Sequence, residues 1–168
     1  MAIAEILNRL DDQLLPAALT KCCASRRWVE TMAAARPFAD DEAVLQTAAT
    51  IWNRLPSADW REAFAAHPKI GDLESLRAKF GNTRDWASGE QSGVASAAEN
   101  TIQRLAELNR DYEAKFGYIF IVCAIGKTAE EMLAILQQRL PNDLEHELAI
   151  AATEQLKITL LRLQKLSS

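Results

Sequence analysis

Residues 40–67, DDEAVLQTAATIWNRLPSADWREAFAAH, carry an apolar period of three to four residues twice in succession. In the first half, the apolar residues that share one side of a helix are Val44, Ala48, Ile51, Trp52 and Leu55. Pro56 ends that helix, because proline has no amide hydrogen and clashes with the preceding turn. Ser57 then favours the start of a second helix as its N-cap. Two amphipathic helices joined at a proline are typical of an all-α protein.

The same helical period extends over most of the chain. The first predicted helix carries an apolar stripe of Ile3, Ile6, Leu7, Leu10 and Leu14. Pro16 suits the first turn of a second helix. Further helices are predicted over 25–35, 73–80, 89–115, 128–140 and 143–166. Their predicted N-caps include Ser25, Asp72, Thr128 and Asn142.

Residues 118–126, YIFIVCAIG, are the one stretch that favours an extended conformation. No second strand is evident to pair with it, so it is expected to cross the interior between helices. We therefore predict a single domain over 1–168, an all-α bundle of about eight or nine helices with one extended buried segment near 118–126.

The composition is typical of a soluble globular protein, with 49% apolar and 25% charged residues. A net charge of −4 argues against general nucleic-acid binding, which usually needs a basic excess. No apolar run reaches the ~18 residues of a membrane helix, and the acidic residues near the N-terminus are unlike a signal peptide. We expect a cytoplasmic protein that binds neither nucleic acid nor membrane.

The three cysteines, Cys22, Cys23 and Cys123, are expected to be reduced thiols. Their number is odd, and adjacent cysteines do not form an ordinary disulfide. Neither a C-x-x-C nor an H-x-x-x-H spacing occurs, so no metal site is predicted.

His67 lies where a helix must end, directly before Pro68. Proline forces its predecessor out of the helical conformation, which aims the imidazole away from its own helix. Gly71 then permits a tight turn. The alternative is a histidine that only interacts with the last carbonyls of the helix. The other histidine, His146, lies among acidic residues and is predicted to be solvated surface.

Glu90 lies in the segment WASGEQSGV, residues 86–94. Ser88 and Gln91 have the spacing of a capping box, so Glu90 could simply complement the dipole of the helix that begins there. Alternatively, the free amides of a helix start flanked by Gly89 and Gly93 could hold an anionic ligand, with Glu90 beside it.

Arg162 lies on the same face of the last predicted helix as Ala151, Gln155 and Ile158. Its turn is mostly apolar, so the guanidinium either reaches out to water or needs an anionic partner such as a substrate carboxylate. Together, His67, Glu90 and Arg162 offer a proton-transfer group, a carboxylate and an anion clamp. That set suits cofactor-free proton transfer on a small acid.

Several motifs resemble those of one enzyme family, the 2-oxo-4-hydroxy-4-carboxy-5-ureidoimidazoline (OHCU) decarboxylases. HPKIGD at 67–72 resembles the family's His-Pro signature, and EQSG at 90–93 its Glu-Gln-(Ala/Ser)-Gly element. LAELNRDYEAKFGYIFIVCAIGKT at 105–128 resembles its Asn-x-x-Tyr segment. CCASRRWVETMAAARPF at 22–38 and ITLLRLQKL at 158–166 also match, so the likeness spans nearly the whole chain in order.

The resemblance implies decarboxylation of OHCU to (S)-allantoin and CO2, the last step from urate to allantoin, by a homodimer without metal or organic cofactor. It implies that His67, Glu90 and Arg162 are catalytic. The substrate-contacting residues that it implies are Pro68, Ala87, Ser88, Gly89, Gln91, Phe120, Ile121, Val122, Cys123 and Ala124. One departure is Ala87, where the family usually has serine; the neighbouring Ser88 is a candidate to replace that hydroxyl.

Two other functions fit the residues alone. An α-helical chain of this size could be a non-catalytic interaction module with an apolar groove. It could also be a hydrolase that acts on a ureide. A catalytic role requires His67 and Glu90 to be intolerant of amide replacements, whereas an interaction module would accept them.

Overall fold

The computed structural model describes residues 1–69, 71–80 and 92–168, and within them the side chains of all but 92–97. These ranges contain nine α-helices and no strand, so the predicted all-α class is confirmed. In chain order the helices are α1 (Ile3–Arg9), α2 (Leu15–Cys22), α3 (Arg26–Ala34), α4 (Asp41–Arg54), α5 (Ser57–Ala65), α6 (Leu73–Phe80), α7 (Ser92–Phe116), α8 (Ala129–Arg139) and α9 (Leu144–Lys165).

The first helix is shorter than its apolar stripe predicts. α1 ends at Arg9, and Leu14 is 57% exposed instead of continuing the buried stripe. The side chain of Asp11 accepts hydrogen bonds from the amides of Gln13 and Leu14, at 2.9 and 2.8 Å. Such a local turn competes with the helix for backbone donors, so α1 ends and a new helix, α2, begins after the turn.

The helices begin at capping residues, and at two of them the cap differs from the predicted residue. Ser25 accepts from the amide of Trp28, and Thr128 accepts from that of Glu131, as predicted. Ser57 is already inside α5, whose N-cap is Pro56. At α9 the capping side chain is Asp143 rather than Asn142, and it accepts from the amide of His146 at 2.7 Å. The predicted side-chain caps at Ser57 and Asn142 were therefore wrong, although the helices themselves form.

The chain divides into two compact units, residues 1–67 with 150–168 and residues 68–149. The division falls inside α9. The prediction of a single domain over 1–168 stays a prediction.

The first unit packs α1 to α5 around two buried tryptophans. The indole of Trp28 donates to the carbonyl oxygen of Ala48 at 3.1 Å, which joins α3 to α4. The indole of Trp52 donates to the carbonyl oxygen of Ala152 at 2.9 Å, which joins α4 to the second half of α9. Each indole therefore buries its large apolar surface and still has a partner for its one donor.

The second unit packs α7 against α6 and α8. Between α7 and α8, residues 118–126 form no helix or strand, in agreement with the sequence. Tyr118 and Ile121 of this segment are buried, while Ile125 is 62% exposed, so only its first half lies in the core. Among the described residues, no helix is both long and apolar enough to cross a membrane.

Candidate active site

His67 directly follows the C-terminal end of α5, and its backbone amide donates to the carbonyl oxygen of Phe64 at 3.2 Å. The side chain is half-buried, and its Nε2 atom contacts the Oε1 atom of Gln155 on α9. Gln155 is only 1% exposed. The helix break therefore directs the imidazole to a buried amide rather than to the last carbonyls of its own helix.

The amide of Gln155 sets the tautomer of His67. Its Nε2 group donates to Thr159 Oγ1 at 3.1 Å, so its Oε1 atom faces the imidazole. A carbonyl oxygen only accepts hydrogen bonds, which assigns the ring proton to Nε2 of His67. In the neutral ring, Nδ1 then carries a lone pair and can accept a proton.

The surroundings favour this neutral form. Burial lowers the pKa of His67 from its ordinary value of 6.5, the bond to Gln155 opposes that change, and the positive charge of Arg162 adds to the lowering. The net direction is downward. The imidazole of His67 therefore favours its uncharged form at neutral pH.

Arg162 lies seven residues after Gln155, two turns along the same face of α9. Its guanidinium is half-buried, and Nη1 lies 3.4 Å from the carbonyl oxygen of Lys21 at the end of α2. Within the described parts of the chain, no carboxylate forms an ion pair with it. Its planar donors are therefore suited to an anionic or carbonyl group of a ligand.

Cys22 and Cys23 lie near the same face of α9 and are free thiols, as expected. Burial is the main cause that raises the pKa of each thiol to about 11. Thr159, the partner of Gln155, is also a hydrogen-bond partner of Cys23. Both thiols stay protonated at neutral pH, so neither is an activated nucleophile.

Lys69 and Gly71 lie against α7 within the second unit. Lys69 forms an ion pair with Glu113 at 3.0 Å. A Cβ atom added to Gly71 would come within 2.5 Å of the side chain of Asn109. Glycine is therefore needed here for close packing. The tight turn that the sequence predicts at Gly71 stays a prediction.

The other predicted site residues fall into three groups according to where they lie. Ala87, Ser88, Gly89, Glu90 and Gln91 lie outside the described residues. Pro68 is exposed beside His67. Phe120 to Ala124 belong to the second unit, where Ile121 is buried and the other four are half-buried. His67 and Arg162 lie together in the first unit.

Sequence reasoning did not assign a role to Gln155 or Thr159. Gln155 was placed on the face of Arg162, and a glutamine on a mostly apolar face was the available signal. In the part of the chain that the structure describes, no group of three or more His, Cys, Asp or Glu residues is arranged to hold a metal ion.

Most of the chain matches a known protein family. The family model for OHCU decarboxylases matches residues 8–164. The uric acid degradation bifunctional protein TTL of Arabidopsis thaliana is 43% identical over 148 residues. That alignment covers 88% of this chain and 45% of TTL, so this chain spans about half the length of that relative. The OHCU decarboxylase of Amia calva is 32% identical, over 77% of this chain and 73% of its own.

Solved structures agree with the family match. A crystal structure of an OHCU decarboxylase in the presence of (S)-allantoin has a TM-score of 0.68 at 39% identity, and covers 94% of this chain and 98% of that one. A structure of an (S)-allantoin synthase shares the fold, with a TM-score of 0.69 at 19% identity over 96% of this chain and 53% of its own. The chain therefore belongs to the OHCU decarboxylase family.

Proposed function

We propose that this chain decarboxylates OHCU to (S)-allantoin and CO2. The observation that carries the proposal is the contact between Nε2 of the half-buried His67 imidazole and a buried glutamine on the helix of Arg162. Membership of the OHCU decarboxylase family supports the reaction, and so does the likeness to a decarboxylase solved in the presence of (S)-allantoin.

His67 is proposed to act as the base. The name of the substrate places a hydroxyl and a carboxylate on the same ring carbon, C4. Nδ1 of the neutral imidazole accepts the proton of the 4-hydroxyl, while the bond from C4 to the carboxylate breaks and CO2 leaves. The bonding electrons stay on the ring, and two protons convert the resulting ion into neutral allantoin. The imidazolium of His67 returns the proton that it took, and water supplies the other. The proton that reaches the ring carbon is added to one face. A base whose pKa lies near or below the working pH is in the form that this step requires.

Arg162 is proposed to hold an anionic or carbonyl end of the substrate. Its guanidinium presents several donors in one plane, which matches a carboxylate or a ureido carbonyl. The resemblance assigns Glu90 to orienting or polarising the N–H groups of the ureido arm or ring. It assigns Pro68, 87–89, Gln91 and 120–124 to substrate contact, and these assignments are part of the proposal.

We further propose a cytoplasmic homodimer that works without a metal or organic cofactor and binds neither nucleic acid nor membrane. The support is the family resemblance, together with the acidic balance of the chain. Sedimentation at several protein concentrations tests the dimer directly, because a dimer has twice the mass of the chain.

The activity is tested by following freshly formed OHCU with and without the protein. The informative variant is H67A, and H146A is its matched control because His146 is the exposed second histidine of the chain. Removal of a general base lowers kcat by roughly 100- to 10,000-fold. We expect that loss for H67A and wild-type turnover for H146A. Wild-type turnover by a folded H67A variant would remove His67 from the mechanism.

A further inference from the structure

A buried polar cluster in the second unit consists of Tyr112, Arg139 and Glu147, each at most 5% exposed. The guanidinium of Arg139 donates from Nε to Glu147 Oε1 at 2.7 Å, and its Nη2 lies 2.5 Å from the same oxygen. The Tyr112 hydroxyl also donates to this oxygen, at 2.5 Å. Asn142 Nδ2 donates to the other carboxylate oxygen at 3.1 Å. The carboxylate of Glu147 is thus held from several sides.

This cluster needs an explanation beyond stability. A buried ion pair loses its hydration, and apolar residues of similar volume often serve stability as well or better. Its members come from the end of α8, the start of α9 and the last turns of α7. Three apolar side chains such as leucine could pack the same helices together. The hydrogen bond that Arg139 makes outside this cluster therefore indicates its role.

Nη1 of Arg139 donates to the carbonyl oxygen of Ile121 at 2.6 Å. Ile121 is 2% exposed and lies in a stretch without helix or strand, so its buried carbonyl has no regular ladder to join. The Cζ atom of the same guanidinium lies 4.6 Å from the centre of the Phe120 ring. One cation thus fixes a backbone carbonyl and the neighbouring aromatic ring.

Arginine is suited to both tasks at once. Its rigid fork holds Glu147 with one edge and leaves Nη1 for the Ile121 carbonyl. Glu147 sets the orientation of the fork, since two of its nitrogens lie within 2.7 Å of one carboxylate oxygen. Residues 118–126 are therefore anchored at Phe120 and Ile121 by the side chain of Arg139, whose rotation Glu147 restricts.

We propose that Arg139, oriented by Glu147 and Tyr112, is a positioning residue that fixes residues 120–124 for substrate contact. This inference rests on the proposed function, in which that segment contacts OHCU. Arg139 acts through the backbone of Ile121 and the ring of Phe120 and need not touch substrate.

The test replaces the whole cluster with apolar residues, in the combined variant Tyr112→Phe, Arg139→Met and Glu147→Leu. Removing all the partners together avoids leaving a lone buried charge, which is the usual reason that such variants unfold. The matched control is K115M. Lys115 is also a cation over an aromatic ring, that of Phe116, and its Nζ donates to the carbonyl oxygen of Leu140 at 2.7 Å. It is exposed, and these two partners lie outside 118–126.

Two readouts are taken at a temperature where all proteins are folded. Amide hydrogen exchange over 119–124 reports the anchoring, and we expect it to be faster in the combined variant only. Steady-state kinetics report the positioning. A misplacement of about 1 Å can cost on the order of 100-fold, so we expect kcat/KM to fall by about tenfold to a hundredfold, with a raised KM. Mere loss of folded molecules would lower apparent kcat and leave KM unchanged.

Wild-type KM in a folded combined variant overturns the proposal, whatever its exchange rates. If the combined variant does not fold, R139K takes its place. Its ammonium keeps a charge opposite Glu147 but lacks the fork, so faster exchange and a raised KM are again expected, and wild-type values again overturn the proposal. If the wild type itself does not turn over OHCU, the proposed function fails separately. Exchange then still decides the anchoring role, since an unchanged rate over 119–124 contradicts it.

Discussion

The Oε1 atom of Gln155 contacts the Nε2 atom of His67 from the same helix face that carries Arg162. The amide and the guanidinium are two helical turns apart, so their separation is set by α9 itself. The indole bond from Trp52 to the carbonyl oxygen of Ala152 ties this part of α9 to α4. The amide that contacts His67 and the guanidinium of Arg162 are thereby held on one helix, which is the kind of arrangement that the proposed acid–base chemistry needs.

The first prediction concerns pH. His67 acts as a base only when neutral, and burial lowers its pKa below 6.5. In a plot of kcat/KM against pH, the fall on the acid side (the acid limb) should therefore have its midpoint below pH 6.5. At pH values above the limb, kcat/KM should be at its maximum. Gln155→Glu places a carboxylate beside the ring, which favours the imidazolium and raises the pKa. The limb should move to higher pH in that variant. An acid limb that stays in place would show that it does not belong to His67.

The second prediction concerns the amide of Gln155. Q155L keeps the volume of the side chain and removes the bond that assigns the proton to Nε2. We expect kcat/KM to fall by roughly tenfold to a hundredfold, with a loss of stability on the order of 1 kcal/mol. The control is Q164L, an exposed glutamine on the same helix. Comparable kinetics for Q155L and Q164L would contradict the positioning role.

The third prediction separates the charge of Arg162 from its shape. R162K keeps the charge and loses the planar fork, so KM should rise by about tenfold while the acid limb stays where it is. R162M also removes a positive charge that lowers the pKa of His67, so its acid limb should move to higher pH. K165M, an exposed cation in the last turn of α9, is the control for both. If R162M changes neither KM nor the limb, Arg162 is not part of the site.

The fourth prediction concerns the paired thiols. Burial raises the pKa of Cys22 and of Cys23 to about 11, so both are protonated at pH 8. Iodoacetamide reacts with the thiolate, so peptides with these residues should be alkylated far more slowly in the native protein than in the denatured one. Mass spectrometry of the digests measures this. Fast native alkylation together with loss of turnover would identify a thiolate in the mechanism.

Much of the fold could be predicted from local sequence. The helices around Pro56 and Thr128 follow from periodicity and capping, which act within a few residues. The end of α1 was not predicted, because the apolar pattern carries no information on hydrogen bonds. The Asp11 side chain accepts from two backbone amides that the predicted helix would have used. Caps were also misassigned where two adjacent polar residues compete, as Asn142 and Asp143 do before α9.

The site was predictable in part. His67 beside a proline and Arg162 in an apolar turn stand out as single residues. Their partners do not, because contacts such as that between His67 and Gln155 join residues 88 positions apart. The hydrogen bond from Arg139 to the carbonyl oxygen of Ile121 could not be predicted from the helical period either, because it depends on how α8 packs beside residues 118–126. The family resemblance implies roles for individual residues, and the structure shows the hydrogen-bond partners of His67 and Arg162.

The most direct test of the central claim is the circular dichroism of the allantoin that forms when OHCU is generated from urate. Spontaneous decay of OHCU gives racemic allantoin, which has no signal, so the measurement separates enzymatic from uncatalysed product. With wild-type protein we predict the signal of the (S)-enantiomer, and with H67A the featureless spectrum of the protein-free reaction. Racemic allantoin in the presence of the wild-type protein would contradict the assignment of this chain as an OHCU decarboxylase.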